Sequence, residues 1–265
     1  MKKVAIFIPA YNASKTLPLL LDRIPKEIKN NVKEIFVVDD ASQDNTYLVG
    51  VGYKNLTKLQ NLKVYKNEKN KGYGGNQKFA YQYAIDKGFD IVVMLHGDAQ
   101  YAPEYIPSLL EPFENDPELA LVFGSRMKGK PLKGGMPLYK FLGNKLLTFI
   151  ENKALKMNLS EYHSGFRVYN CKKLKEIPFN LCSGGFHFDT DILIQLKMKK
   201  FKIVERPIPT HYGDEKSHVN IIKYGLNILR SLFEYKLHKL GIKKSKKFDI
   251  TSRNLFITSL KEIIL

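Results

Sequence analysis

Five short apolar runs set the limits on what this chain can fold into: Val4 to Pro9, Ile35 to Asp39, Leu62 to Tyr65, Ile91 to Leu95 and Leu121 to Phe123. Each is β-branched or aliphatic, and a longer mixed segment separates it from the next, so the runs read as buried strands and the spacers as helices. The predicted helices run from Ser14 to Lys29, from Asp44 towards Lys58, from Gly74 to Lys87 and from Pro103 to Glu114. Ser14 or Thr16 and Asp44 are the expected N-caps, and Pro103 stands at a first helical turn. Strands alternating with helices specify an α/β architecture with a mostly parallel central sheet. Further on, the pattern predicts a long helix from Pro137 to Lys156, an extended segment at Phe166 to Tyr169, a helix from Asp189 to Lys199 and a strand from Phe201 to Val204. No repeat or low-complexity linker interrupts the 265 residues. The expected division is one large domain over residues 1–218 with a C-terminal extension over 219–265.

In open sheets of this kind ligands bind beyond the carboxyl ends of the strands. The residues there are polar in three places: Pro9-Ala10-Tyr11-Asn12, Asp39-Asp40-Ala41-Ser42 and His96-Gly97-Asp98-Ala99-Gln100. Two adjacent carboxylates at a strand end are costly to bury unless something binds them, and the competing reading is that Asp39 and Asp40 cap the helix near Asp44.

These clusters, in this order, resemble family 2 glycosyltransferases, whose first strands carry Pro-x-Tyr-Asn, Val-Val-Asp-Asp-x-Ser-x-Asp-x-Thr and an Asp-x-Asp metal motif. Val37 to Thr46 matches the second motif completely. Asn70-Lys71-Gly72-Tyr73-Gly74-Gly75-Asn76, Gly124-Ser125-Arg126 and Ser164-Gly165-Phe166-Arg167 are similar to the dolichyl-phosphate and other polyprenyl-phosphate sugar transferases. The likeness spans Val4 to Ser217. It implies the A-type glycosyltransferase fold, Rossmann-like with flanking helices, and an inverting displacement on a nucleotide-diphosphate sugar donor. It further implies a divalent metal, Mn2+ or Mg2+, on the diphosphate, and a polyprenyl phosphate or glycolipid acceptor. By that likeness Pro9, Tyr11 and Asp40 contact the base and ribose with Asp39 nearby, and Asn12, Gly74 and Asn76 complete the donor-binding set. The glycines are expected to let the backbone approach the donor and to start a helix.

The metal motif departs from the family's usual form, because His96 stands where the first aspartate is expected. If the chain stays extended, His96, Asp98 and Gln100 project to one side. Asp98 is the strongest metal ligand, Gln100 matches a metal-contacting position, and His96 either ligates or hydrogen-bonds a phosphate or Asp98. An imidazole ligand tilts preference from magnesium towards manganese.

Arg126 and Arg167 are the candidates for gripping an acceptor phosphate, against the reading that each is a surface arginine with a carboxylate partner. Asp189 and Asp191 either serve as general base for a hydroxyl acceptor or cap the helix that follows. A phosphomonoester needs no such base, since its second pKa is about 6. Lys216, Ser217 and His218 fall where the family keeps a mobile loop over the site.

A formal charge of +17, from 43 Lys and Arg against 26 Asp and Glu, calls for a polyanionic partner. No nucleic-acid reading motif accompanies it. From Asn220 to Leu240 apolar residues interleave with Lys223, Arg230, Lys236 and Lys239, and Lys243, Lys244, Lys246 and Lys247 follow. This basic amphipathic helix suits an anionic membrane surface, and its apolar face equally suits the protein core or a homo-oligomer. Val4 to Ala10 reads as a first strand rather than a signal peptide, and no apolar stretch is long enough to span a bilayer. Two cysteines, Cys171 and Cys182, fit a reducing compartment. The expected location is cytoplasmic, peripheral on the cytoplasmic face of the membrane.

Overall fold

The computed structural model describes residues 2–210 and 220–251. Its strands are β1 (Val4–Ala10), β2 (Glu34–Asp39), β3 (Leu62–Lys66), β4 (Ile91–Met94), β5 (Leu119–Ser125), β6 (Arg167–Asn170) and β7 (Lys202–Pro207). Its helices are α1 (Leu17–Arg23), α2 (Lys26–Asn31), α3 (Thr46–Thr57), α4 (Gly72–Asp86), α5 (Ile106–Leu110), α6 (Pro112–Asn115), α7 (Leu138–Leu155), α8 (Cys171–Lys175), α9 (Phe188–Met198) and α10 (Ile221–Lys239).

The seven strands form one sheet in the order β3-β2-β1-β4-β6-β5-β7. All neighbours are parallel except β6, which runs antiparallel to both β4 and β5. Both faces are covered. Ala5 and Phe7 of β1 point into one apolar cluster with α4, α9 and α10, and Ile6 and Ile8 point into the other with α1. Burial on both sides is why the strands read as continuous apolar runs rather than alternating ones.

Two predicted helices are broken by proline. The segment from Ser14 to Lys29 divides into α1 and α2 at Ile24-Pro25, and Pro103 to Glu114 divides into a 3-10 turn, α5 and α6 at Pro107 and Pro112. Ile24, before Pro25, leaves the helical region at φ −58° and ψ 124°, as a following proline favours, whereas Ile106 and Glu111 stay helical, and there Pro107 and Pro112 interrupt the ladder because proline has no N–H to donate. Thr16 is the N-cap of α1, but its hydroxyl donates to Gly97 O at 2.8 Å instead of capping. Asn45, not Asp44, is the N-cap of α3.

The reversal at β6 matters for function. Running antiparallel, it begins where β4 and β5 end, so Arg167 pairs with Met94 on one side and Phe123 on the other. The Ser164 to Arg167 segment therefore arrives at the same rim as the polar clusters after β1, β2 and β4.

Candidate active site

The three strand-end clusters are tied to one another by hydrogen bonds. Asp40 N–H donates to Ala10 O at 2.8 Å and Gly97 N–H to Pro9 O at 3.0 Å. Asn12 N–H donates to Ser42 Oγ at 2.9 Å. Each cluster contains one non-glycine residue in the left-handed region: Asn12 at φ 51°, Ala41 at φ 56° and Ala99 at φ 60°. Such conformations cost about 1–2 kcal/mol for a residue with a Cβ and gather at ligand sites, where the surroundings enforce them.

Asp39 and Asp40 are both buried, at 0% and 4% exposure. Neither caps α3. Asp39 Oδ1 accepts from Ser42 N–H at 3.0 Å and from the Ser42 hydroxyl. Its Oδ2 is buried without a hydrogen-bond partner among the described residues. Asp40 Oδ1 accepts from Asn67 Nδ2 at 2.8 Å and Lys71 N–H at 2.9 Å, which anchors the loop leading into α4. Tyr11, beside them, is 40% exposed.

After β4 the chain does not stay extended. It turns at Gly97 to Ala99, with Ala99 N–H reaching back to His96 O at 3.4 Å and Gln100 N–H donating to Asp98 Oδ1 at 3.1 Å. The alternation expected to line up His96, Asp98 and Gln100 is thus lost, because a left-handed residue at position 99 reverses the chain. Asp98 Oδ2 accepts no hydrogen bond from the described residues.

His96 is held on three sides. Its ring lies edge-on to Tyr73 at 5.5 Å and to Tyr101 at 5.2 Å. A Cβ placed on Gly165 would stand 2.3 Å from His96 Cε1 and Nε2, so only glycine fits there. Burial pushes the imidazole below its ordinary range, against attraction from Asp98 and Asp189. Tyr73 Oη donates to Asp189 Oδ2 at 2.9 Å and lies 3.3 Å from His96 Nε2. In the tautomer consistent with that pattern Nε2 carries the proton and donates to Tyr73, and the lone pair resides on Nδ1. Sequence reasoning passed over Tyr73 and Tyr101. The signal for Tyr73 was its place between Gly72 and Gly74.

The glycines do start α4, yet the close approach they permit is to the chain itself. Gly74 N–H donates to Gly184 O at 2.9 Å. A Cβ on Gly74 would stand 2.3 Å from Ser183 O. Asn76 is likewise turned inward, donating from Nδ2 to Val38 O at 3.0 Å.

Neither arginine is a surface residue. Arg126 Nη2 lies 2.7 Å from Oε2 of fully buried Glu161, and the backbone N–H of Arg126 bonds the same carboxylate. Burial alone would raise the Glu161 carboxyl, but the Arg126 charge and hydrogen bonds hold it below its usual value. Arg167 is completely buried, with Nε donating to Ser164 O at 2.8 Å and Nη2 to Tyr162 O at 2.7 Å. Its Nη1 lies 3.6 Å from Asp189 Oδ1. Its fork is filled by carbonyls and a carboxylate, so Arg167 positions Asp189 and does not reach an acceptor.

The two candidate bases differ. Asp189 belongs to the rim through Tyr73 and Arg167. Asp191, fully buried, faces away: it accepts from Ser183 N–H at 2.9 Å and pairs with Lys247 Nζ at 2.9 Å. That pair also withdraws Lys247 from the expected basic cluster, since its Nζ is 3.1 Å from Glu234 as well. Lys216, Ser217 and His218 lie outside the described residues.

Among the described residues no three His, Cys, Asp or Glu side chains converge as a ready-made metal cage. A hard divalent ion that keeps waters and takes further oxygens from substrate phosphates needs only one or two protein carboxylates. Asp98, with one oxygen uncommitted beside a neutral imidazole, meets that demand.

The glycosyl transferase family 2 model matches residues 5–178. The chain is 30% identical to the UDP-N-acetylglucosamine–dolichyl-phosphate N-acetylglucosaminyltransferase of Methanococcus voltae, over 90% of this chain and 98% of that protein. It is 26% identical to the undecaprenyl-phosphate mannosyltransferase of Micrococcus luteus, over 84% and 94%. Among solved structures it resembles glucosyl-3-phosphoglycerate synthase from Mycobacterium tuberculosis in complex with Mn2+, uridine-diphosphate-glucose and phosphoglyceric acid. The TM-score is 0.68 at 17% identity, covering 92% of this chain and 81% of that one. A matched family model over most of the chain, carried on the A-type fold with its carboxylates at the expected rim, makes this protein an enzyme of glycosyl transferase family 2.

Proposed function

We propose that this enzyme transfers a sugar from a nucleotide-diphosphate sugar to a polyprenyl phosphate at a membrane surface, with inversion and with a divalent ion held at Asp98. One observation carries the donor side: Asp39, Asp40 and Asp98 meet on one rim, and Asp39 keeps a buried oxygen with no internal partner. An orphaned buried acceptor costs about 1–3 kcal/mol unless a ligand satisfies it, and a ribose hydroxyl supplies the missing donor. The solved neighbour named above binds Mn2+ and uridine-diphosphate-glucose. A divalent ion at Asp98 offsets the charge that gathers on the departing diphosphate. His96, neutral and immobilised, offers a hydrogen bond or a ligand atom without adding charge.

The acceptor assignment has its own support. Asp191 is spent on Lys247, and Asp189 is bonded to Tyr73 beside Arg167. An acceptor that arrives as a phosphate brings an ionised nucleophile near neutral pH and needs no free base. The named relatives act on dolichyl phosphate and undecaprenyl phosphate. The free, buried thiols of Cys171 and Cys182 suit a reducing compartment, hence the cytoplasmic face. Incubation with radiolabelled donor and a polyprenyl phosphate should yield a lipid product that releases its sugar in mild acid. Label found only in an acid-stable glycolipid or saccharide would overturn the phosphate acceptor in favour of a hydroxyl one.

A further inference from the structure

Tyr73 stands at the start of α4 between two glycines that fix its backbone against another part of the chain. A carbon added to Gly72, which lies at φ 74°, would stand 2.8 Å from Gly184 O, and one added to Gly74 would stand 2.3 Å from Ser183 O. The tyrosine ring is stacked on Phe186 at 5.1 Å and meets the His96 ring edge-on. Its hydroxyl is thereby held between two polar groups, Asp189 Oδ2 at 2.9 Å and His96 Nε2 at 3.3 Å. The direction of each proton follows from the far end of this chain. Asp189 pairs with the guanidinium of completely buried Arg167, so its carboxylate accepts and does not donate. The Tyr73 proton is committed to Asp189, and only the lone pairs of its oxygen remain for His96. Nε2 then carries the imidazole proton. The ring's one lone pair is left on Nδ1, which makes no hydrogen bond among the described residues. Tyr101 also meets the ring edge-on, with its hydroxyl accepting from Gly165 N–H at 2.8 Å.

We infer that Tyr73 is a positioning residue that presents His96 to the divalent ion as a nitrogen ligand through Nδ1. This rests on the proposed ion at Asp98 and deepens it by naming a second protein ligand and what orients it. An aspartate at position 96 would need no such help, because both carboxylate oxygens accept. An imidazole has a single lone pair, and the hydrogen bond made by one nitrogen decides that the other keeps it. The histidine at the head of the metal motif is therefore matched by a tyrosine 23 residues earlier, on a different element of the rim. The same hydroxyl ties the orientation of that ligand to Asp189 and Arg167, which lie beyond β6 in sequence or at its start.

Two measurements on the full chain test this. In the ion-free wild type, long-range proton–nitrogen magnetic resonance spectra should show His96 protonated at Nε2. A proton on Nδ1 would overturn the inference without any substitution. Pulsed electron paramagnetic resonance with Mn2+ and uridine or guanosine diphosphate then reads the ligand, since an imidazole nitrogen on the ion modulates the echo. The wild type should show nitrogen coupling and His96→Asp should not. Tyr73→Phe keeps the stacked ring and removes only the hydroxyl. It should weaken the coupling and lower Mn2+ affinity by about tenfold or more in titration calorimetry, with a smaller loss for Mg2+. In the His96→Asp background the same substitution should leave both affinities unchanged. Nitrogen coupling and a Mn2+ preference that survive Tyr73→Phe would overturn the inference. So would equal losses for both ions, or a loss that persists beside His96→Asp, either of which would make Tyr73 a support for Asp189 alone. Nucleotide binding by the wild type that ignores both ions is a separate failure: it would remove the ion at Asp98, and this inference with it.

Discussion

Replacing Glu151 with glutamine tests whether a buried acid stays protonated beneath the site. Glu151 is fully buried on α7, its Oε1 accepting from Thr190 Oγ1 at 2.9 Å. Its Oε2 lies 3.2 Å from His163 Nε2, and both atoms lack any other partner among the described residues. His163 Nδ1 is 3.0 Å from Tyr224 Oη. Burial pushes Glu151 up to about 8, with the Thr190 bond and the Arg167 charge opposing. Burial pushes His163 down to about 3, against attraction from Glu161. At neutral pH one proton on Glu151 then bridges to a neutral imidazole and satisfies both orphaned atoms.

The pH dependence follows from which state holds more protons. Between its ordinary 4.5 and about 8, Glu151 keeps in the fold a proton that the unfolded chain has lost, so stability falls as pH rises. Between about 3 and its ordinary 6.5, His163 is protonated only in the unfolded chain, so stability rises with pH. The two slopes cancel where the windows overlap. Above that overlap the acid acts alone, at about 1.4 kcal/mol per pH unit, for a loss of roughly 2 kcal/mol by pH ~8. Glutamine keeps a donor for His163 and an acceptor for Thr190 but cannot ionise. Urea denaturation from pH ~6.5 to ~8.5 should show the wild type losing that amount relative to Glu151→Gln. Parallel curves across this range would mean that Glu151 is already ionised in the fold.

Three further outcomes follow from the same geometry. Gly165→Ala would drive a methyl into His96, a ring already fixed by Tyr73 and Tyr101, and should lower kcat on the order of 10²-fold in a metal-dependent transfer assay. Arg167→Met leaves Asp189 without its buried counter-charge and should cost about 3–5 kcal/mol in urea melts, whereas a surface phosphate grip would cost almost none. Asp191→Asn should lower the melting temperature by loosening Lys247 while sparing turnover on a lipid phosphate; loss of turnover with an unchanged melt would restore Asp191 as a base.

How much of this was legible in the sequence depended on whether the cause was local. The strands were readable because a sheet covered on both faces demands uninterrupted apolar runs, and Asp39, Asp40 and Asp98 were placed by the rule that ligands bind at strand ends. The direction of β6 was not readable, since Arg167 to Asn170 has the same composition whichever way it runs. With that reversal unseen, Arg167 looked like a grip for an acceptor phosphate. Its partners are the carbonyls of Tyr162 and Ser164, which no side-chain pattern reveals. Arg126 and Glu161 are 35 residues apart in sequence and meet only through the fold. The break at Pro25 was missed by the apolar pattern, which predicts one helix from Ser14 to Lys29, although the restriction that proline places on Ile24 is a local signal for it. Gly74 was rightly placed at a helix start, but what it approaches is the Ser183 to Gly184 turn, brought in from more than a hundred residues away.

The central claim is that Asp98 holds the cation through which the donor's diphosphate is bound. Isothermal titration calorimetry of a panel of nucleotide-diphosphate sugars, with Mn2+ or Mg2+ and with chelator, tests it directly on the wild type and on Asp98→Asn. Binding of at least one donor should require the cation, and Asp98→Asn should weaken it by about 10²-fold or more. Equal affinity with chelator present, or an Asp98→Asn variant that binds as the wild type does, would contradict the account.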